Sequence, residues 1–182
     1  SATRVAHPFI TSDLGAIETA FQDNTKLVFV ETPANPTMKL ADIAAIAEMA
    51  HSRGALLLVD NTFASPILQR PFEFGADIVV HSTTKYLNGH GDALGGAVMG
   101  RQAFLADVRE YGVVHLGACI SPFNAWLIMR GLVTLPLRME KHAENALRVS
   151  RFLESRDKVN LVRYPGLESH PQHQLAAEQM SG

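Results

Sequence analysis

Three short apolar runs, each closed by a polar residue, constrain this chain most. Leu27-Val28-Phe29-Val30 ends at Glu31, Leu56-Leu57-Leu58-Val59 ends at Asp60, and Ile78-Val79-Val80-His81 ends at Ser82. Runs of this length suit strands, and the first reads as a strand buried on both faces. Between the first two lies Leu40–Arg53, where Ile43, Ile46, Ala47 and Ala50 fall at i, i+3, i+4 and i+7. That spacing predicts a helix with one apolar face, ended by Gly54. Prolines 33 and 36 keep the intervening loop out of helix. A further strand is expected over Gly95–Gly100 and a short helix over Asp13–Phe21, capped by Ser12 or Asp13. Strands alternating with helices predict an α/β fold with a mostly parallel sheet.

In such sheets ligands gather at the carboxyl ends of strands, where Glu31, Asp60 and Ser82 stand. The third run continues Ser82-Thr83-Thr84-Lys85-Tyr86. A lysine amine can form a Schiff base with an aldehyde, small hydroxyls can hold a phosphate, and a carboxylate can face a ring nitrogen. Together these are the demands of pyridoxal phosphate chemistry. Each residue also has a plainer reading. Lys85 suits a solvated surface position, and Asp60 suits a turn or a helix cap. Asp60 after an apolar run also suits a nucleotide-binding metal site, but no Gly-x-x-x-x-Gly-Lys-Ser/Thr loop accompanies it. Gly89-His90-Gly91-Asp92-Ala93-Leu94 lacks the third glycine of a dinucleotide fingerprint. Asn35 suits a substrate carboxylate, a ring oxygen or simply a turn. His170 and His173 have no further ligand at metal-site spacing. His81 reads as packed rather than catalytic. Trp126 and Phe123 read as core or subunit contact, and Cys119 as an inert buried thiol.

A formal net charge of −2 offers no basic surface for nucleic acid or anionic membrane. No apolar stretch reaches the length of a bilayer span, and Ser1–Pro8 lacks the apolar core of a secretory signal. One cysteine allows no disulfide within the chain, which fits a reducing, cytoplasmic setting. From Gln102 the pattern turns mostly helical. One helix opens at Ser121-Pro122 and runs to about Arg130, and a longer one opens near Thr134 with Ala143, Ala146, Leu147, Ser150 and Leu153 on one face. Val159–Tyr164 reads as a strand beginning a new unit, and Gln172–Met180 as a last helix. A boundary is expected near residue 155. The lack of an initial Met and the stop just after a helical pattern suggest a segment of a longer enzyme.

Three motifs then coincide in order. They are Glu31-Thr32-Pro33-Ala34-Asn35-Pro36-Thr37, Val59-Asp60-Asn61-Thr62-Phe63, and His81-Ser82-Thr83-Thr84-Lys85-Tyr86-Leu87-Asn88-Gly89-His90. The chain closely resembles the Cys/Met-metabolism family of pyridoxal-phosphate enzymes, which includes methionine γ-lyase, cystathionine γ-lyase, cystathionine γ-synthase and the O-acylhomoserine sulfhydrylases. Arg130-Gly131-Leu132-Val133-Thr134-Leu135 and Tyr164-Pro165-Gly166-Leu167 extend the resemblance over nearly the whole chain. It implies a fold-type-I, aminotransferase-like fold with pyridoxal 5′-phosphate as cofactor. It implies Lys85 as the Schiff-base lysine, Asp60 as partner of the pyridine nitrogen, Ser82 and Thr84 as phosphate ligands, and Asn35 beside the ring oxygen and substrate. It divides the chain into part of a large cofactor domain (1–133), a linking helix (134–155) and the start of a C-terminal domain (156–182).

The resemblance also implies a small amino-acid substrate and a homo-oligomer built as a dimer of dimers. The family's cofactor-stacking Tyr, its phosphate-binding Gly-Met pair and the Tyr/Arg arm of the neighbouring subunit correspond to positions before residue 1. The Arg that binds the substrate carboxylate corresponds to a position after residue 182. These 182 residues alone are therefore not expected to form a competent site.

Overall fold

A computed structural model describes residues 12–181. The leading residues 1–8, read above for a signal segment, lie outside the described residues. The elements run α1 (Leu14–Ala20), β1 (Leu27–Glu31), α2 (Ile43–Ser52), β2 (Leu56–Asp60), α3 (Ser65–Leu68), β3 (Ile78–Ser82), β4 (Gly96–Gly100), α4 (Gln102–Arg109), α5 (Pro122–Leu132), α6 (Leu135–Glu154) and α7 (His173–Gln179). A 3₁₀ turn at Pro71–Phe74 precedes β3, and a π-helical turn at Glu110–His115 follows α4.

The sheet has the order β1-β2-β3-β4. β1, β2 and β3 are parallel, and β4 lies antiparallel beside β3. Parallel pairing follows from the helical crossover between β1 and β2, which returns the chain to the same end of the sheet. Val28 and Val30 of β1, Leu57 and Val59 of β2, and Val79 of β3 point to one face. There they pack against Ile43, Ile46, Ala47 and Ala50 of α2 and Ile17 of α1, so the helical spacing read from the sequence is the spacing that is buried.

The other face differs from expectation. Leu27 and Phe29 are 46% and 54% exposed, so β1 alternates instead of being buried on both sides. The physical reason is one-sided cover: α1 and α2 pack on a single face, and no described element packs on Leu27, Phe29 and Leu56.

The helix ends follow local chemistry. Asp13 caps α1 by accepting from the Ala16 amide at 3.0 Å, and Ser121 caps α5 by accepting from Asn124 N at 3.2 Å. α2 begins at Ile43 rather than Leu40. Asp42 is its cap, and the Leu40 backbone is claimed from afar by Gln172, which accepts from Leu40 N at 2.8 Å and donates to Leu40 O at 2.7 Å.

Val159–Tyr164 is not a strand. Its residues keep an in-and-out alternation, with Val162 and Tyr164 half-buried and Leu161 and Arg163 exposed. No described segment pairs with it, and alternation without a partner forms no ladder. Cys119 is exposed, not buried. Trp126 and Phe123 are 51% and 65% exposed, which removes the core reading for both.

α5 presses on the turn after β3. Gly131 is buried, and a Cβ there would collide with the backbone carbonyl of Asn88. Replacing Gly131 with Ala forces two backbones apart. The expected cost is about 1–3 kcal/mol, read as a lower urea midpoint of the full-length protein.

His81 points into the core face and is 4% exposed, and its Nδ1 has no hydrogen-bond partner among the described residues. Burial holds this imidazole below its ordinary value of 6.5, outweighing the nearby Asp60 carboxylate, which raises it. The folded chain therefore keeps His81 neutral while the unfolded chain takes up a proton as pH falls past that value. The stability tied to neutral His81 is complete above the unfolded value and is lost as pH falls through the folded one. Urea midpoints compared at about pH 7.5 and 5.5 should fall less for His81→Asn than for the wild type. Some pH dependence should remain in the variant, because burial, Arg163 and His173 also lower His170. Equal falls in both proteins would refute the assignment.

Candidate functional site

The carboxyl ends of β1, β2 and β3 lie side by side. Glu31 is in register with Asp60, and Asp60 with Val80, two residues before Ser82. Neighbouring strands are about 4.8 Å apart, so Asp60 and Ser82 sit within a small molecule's span. By alternation Glu31, Asp60 and Ser82 share the sheet face opposite the helical core.

Asp60 is held locally. Its Oδ1 accepts from the Thr62 amide at 2.9 Å, a turn that a carboxylate two residues earlier readily makes. Its other oxygen has no protein partner among the described residues and is free to accept. Thr62 in turn accepts from the Ser82 amide through Oγ1 at 2.8 Å, and Asn61 N donates to Val80 O at 3.0 Å. The ends of β2 and β3 are thus tied beyond their ladder. Sequence reading missed Thr62. The signal was present as Asp-x-Thr at a strand end, where the Asp side chain closes the turn.

Lys85 stands on a tight turn. Its amide donates to Ser82 O at 3.2 Å, Asn88 N donates to Thr83 O at 3.0 Å, and Gly89 N donates to Lys85 O at 2.8 Å. The lysine is exposed and has no acidic partner among the described residues. The three hydroxyls before it divide. Ser82 is half-buried, and its hydroxyl has no partner among the described residues. Thr83 turns inward, 4% exposed. Thr84 Oγ1 is engaged with Gly95, donating to its O at 3.3 Å and accepting from its N at 3.1 Å. Of the two expected phosphate ligands, Ser82 has a free hydroxyl proton, whereas Thr84 must exchange Gly95 O for another acceptor.

Asn35 is exposed on the loop after β1, and its amide nitrogen donates to Glu31 Oε1 at 3.4 Å. The loops behind these residues rest on buried amides. Gln69 donates to Thr32 O and Asn61 Oδ1, Asn61 donates to Gln69 O, and Gln179 of α7 donates to Ala41 O and Gln69 Oε1. Nothing in the sequence pattern marked this network, because its members lie far apart along the chain. A cleft of about 1190 Å³ beside the site includes Pro33, Phe63 and Tyr86 in its walls. Among the described residues no cluster of His, Cys, Asp or Glu could hold a metal.

The donor set fits a phosphorylated pyridine aldehyde. It offers an unpaired amine, a carboxylate oxygen with no partner, a free hydroxyl and an amide, all at one end of the sheet. Asp60, Ser82, Thr84, Lys85 and Asn35 all stand at or just beyond that end of the strands.

Comparison with known proteins agrees. The family described as Cys/Met metabolism PLP-dependent enzyme matches residues 3–182. A canavanine gamma-lyase of Pseudomonas canavaninivorans is 52% identical over 93% of this chain and 42% of its own length. An L-methionine gamma-lyase of Porphyromonas gingivalis is 52% identical over 91% of this chain and 42% of its own length. An O-succinylhomoserine sulfhydrylase of Pseudomonas aeruginosa is 51% identical over 94% of this chain and 42% of its own length. The crystal structure of metB from Corynebacterium glutamicum superposes with a TM-score of 0.90 at 46% identity, over 94% of this chain and 44% of that one. The chain thus spans less than half the length of the curated relatives it matches. Sheet, turn and sequence agree: the chain belongs to the Cys/Met-metabolism family of pyridoxal-phosphate-dependent enzymes, with the fold-type-I architecture.

Proposed function

We propose that the full-length protein catalyses γ-elimination on sulfur amino acids, releasing a keto acid, ammonia and a thiol. The observation that carries this reading is the grouping of Lys85, Asp60 and Ser82 at neighbouring strand ends, with the lysine free of any acid among the described residues. Lys85 would anchor the cofactor through its amine, Asp60 would partner the ring nitrogen, Ser82 and Thr84 would bind phosphate, and Asn35 would serve the ring oxygen and the substrate. When bound, the cofactor supplies an electron sink for the bond broken at Cα.

The chain's own residues do the rest. Once free, the Lys85 amine would be the general base that takes the substrate's Cα proton. The same amine would carry that proton to the carbon of the cofactor's aldehyde and take a second one from Cβ, so that the γ-substituent leaves as the thiol, and water would release the keto acid and ammonia. Asp60, as an anion, keeps a proton on the atom it faces. A carboxylate held by Thr62 N and otherwise free suits that task.

The stretch Tyr164–His173 resembles γ-lyases, and two of the relatives named above are γ-lyases. A second reading is γ-replacement on O-acylhomoserine, by sulfide or by a thiol. It is supported by the Ser121–Trp126 helix start, which resembles sulfhydrylases, and by the sulfhydrylase relative. The domain division follows the same reading. Residues 1–133 belong to the cofactor domain, 134–155 form the linking helix that coincides with α6, and 156–182 begin the C-terminal unit. The exposed Phe123 and Trp126 on α5 support a subunit contact, and the same reading makes the full-length protein a cytoplasmic homo-oligomer built as a dimer of dimers.

Two measurements on the full-length protein test the reading. Keto-acid release from methionine or cystathionine should exceed sulfide-dependent replacement on O-succinylhomoserine, and faster replacement would make the second reading correct. Lys85→Ala should lower the rate by about 10²–10⁴-fold, and unchanged turnover would refute the role given to Lys85.

A further inference from the structure

A half-buried arginine lies behind the lysine turn, and the sequence motifs do not account for it. Arg138, on the first turn of α6, donates from Nη1 to Tyr86 O at 2.8 Å. It donates from Nη2 to Gly131 O at 2.8 Å and from Nε to Thr134 Oγ1 at 3.0 Å. No carboxylate pairs with it among the described residues. A guanidinium without an acid, whose three nitrogens all donate to neutral oxygens, is acting as a fork, which a lysine ammonium cannot reproduce.

What the fork joins matters. Tyr86 O belongs to the Tyr86–Leu87 peptide, one residue beyond Lys85. Gly131 O lies at the end of α5, and Thr134 is the residue that opens α6. The guanidinium also passes close to Gly89, whose φ is +75°. That positive φ favours glycine, and a Cβ there would also push the guanidinium aside. Gly89 N closes the same turn onto Lys85 O. The turn that carries the lysine is therefore held from the sheet, where Lys85 N donates to Ser82 O, and from the helices, where Arg138 donates to the next residue's carbonyl, Tyr86 O.

We propose that Arg138 is a positioning residue for Lys85. It fixes the turn between β3 and the α5–α6 junction so that the amine is presented at one place above the strand ends. It touches neither substrate nor cofactor. The proposal rests on the role given to Lys85 above, and it extends that role by naming what holds the lysine still. A displacement of about 1 Å at such a group costs on the order of 10²-fold in rate, so a backbone clamp bears directly on the chemistry.

The test uses the cofactor-free full-length protein. Hydrogen exchange of the peptide covering Ser82–Asp92 is compared between wild type and Arg138→Ala. In parallel, pyridoxal phosphate is added and the rate of the borohydride-trapped adduct on Lys85 is measured by peptide mapping. In Arg138→Ala the turn should exchange about tenfold faster while the peptide covering Ile43–Ser52 stays unchanged. The Lys85 adduct should form about tenfold more slowly, and Arg138→Lys should fall between the two. Wild-type exchange and wild-type adduct rates in a folded Arg138→Ala would overturn the proposal, as would faster exchange spread equally over α2. If Arg138→Ala does not fold, Arg138→Lys carries the same comparison, and wild-type behaviour there overturns it. Absence of any Lys85 adduct in the wild type would instead refute the role of Lys85, and the exchange comparison would still decide the clamp.

Discussion

The parallel pairing of β1, β2 and β3 is the constraint on which the rest depends. In a parallel ladder every strand ends at the same edge, so whatever residue closes each apolar run is delivered to one place. Glu31, Asp60 and Ser82 arrive there because the apolar runs before them are in register, Leu58 with Ile78 and Val59 with Val79. An antiparallel arrangement would send alternate polar ends to opposite edges and scatter the group. β4 is antiparallel, and it brings Gly96, with Gly95 just before it, near Ser82 and Thr84 rather than a strand-end side chain.

Holding the polar ends requires hydrogen bonds that the ladder does not supply. Buried Thr32, Asn61 and Gln69 are 0–2% exposed, and an unsatisfied polar group at such depth costs about 1–3 kcal/mol. The structure satisfies them against one another and against Gln179, so a helix late in the chain completes polar groups of the first two strand ends. Gln172 does the same for Leu40. The loop carrying Asn35 and the turn carrying Asp60 are thereby braced from below by amides. These bonds are directional and fix loop geometry more tightly than apolar contacts would.

The features legible in the sequence were those written in local pattern. The apolar runs, the helical spacing of Ile43, Ile46, Ala47 and Ala50, the cap at Ser121 and the hydroxyls before Lys85 each involve residues a few positions apart. Features set by distant partners were not legible. Val159–Tyr164 has the alternation of a strand, but a strand exists only when a neighbour pairs with it. Leu40 looks helical until Gln172 occupies its backbone. Thr84 reads like Ser82, yet Gly95 takes its hydroxyl. Arg138 has no local signature, since its partners Tyr86, Gly131 and Thr134 come from three different elements.

The bare face of the sheet joins the fold to the site. Parallel sheets are normally covered on both faces, because crossovers lay helices on each. Here Leu27, Phe29, Leu56 and Val98 are 39–54% exposed on the face that also bears Asp60 and Ser82. Apolar side chains in that number are unfavourable in water. Whatever covers them also walls the strand ends, because both sets of residues belong to one surface. The dielectric around Asp60 and Lys85, and with it the strength of every charge interaction there, is thus coupled to the burial that completes the sheet.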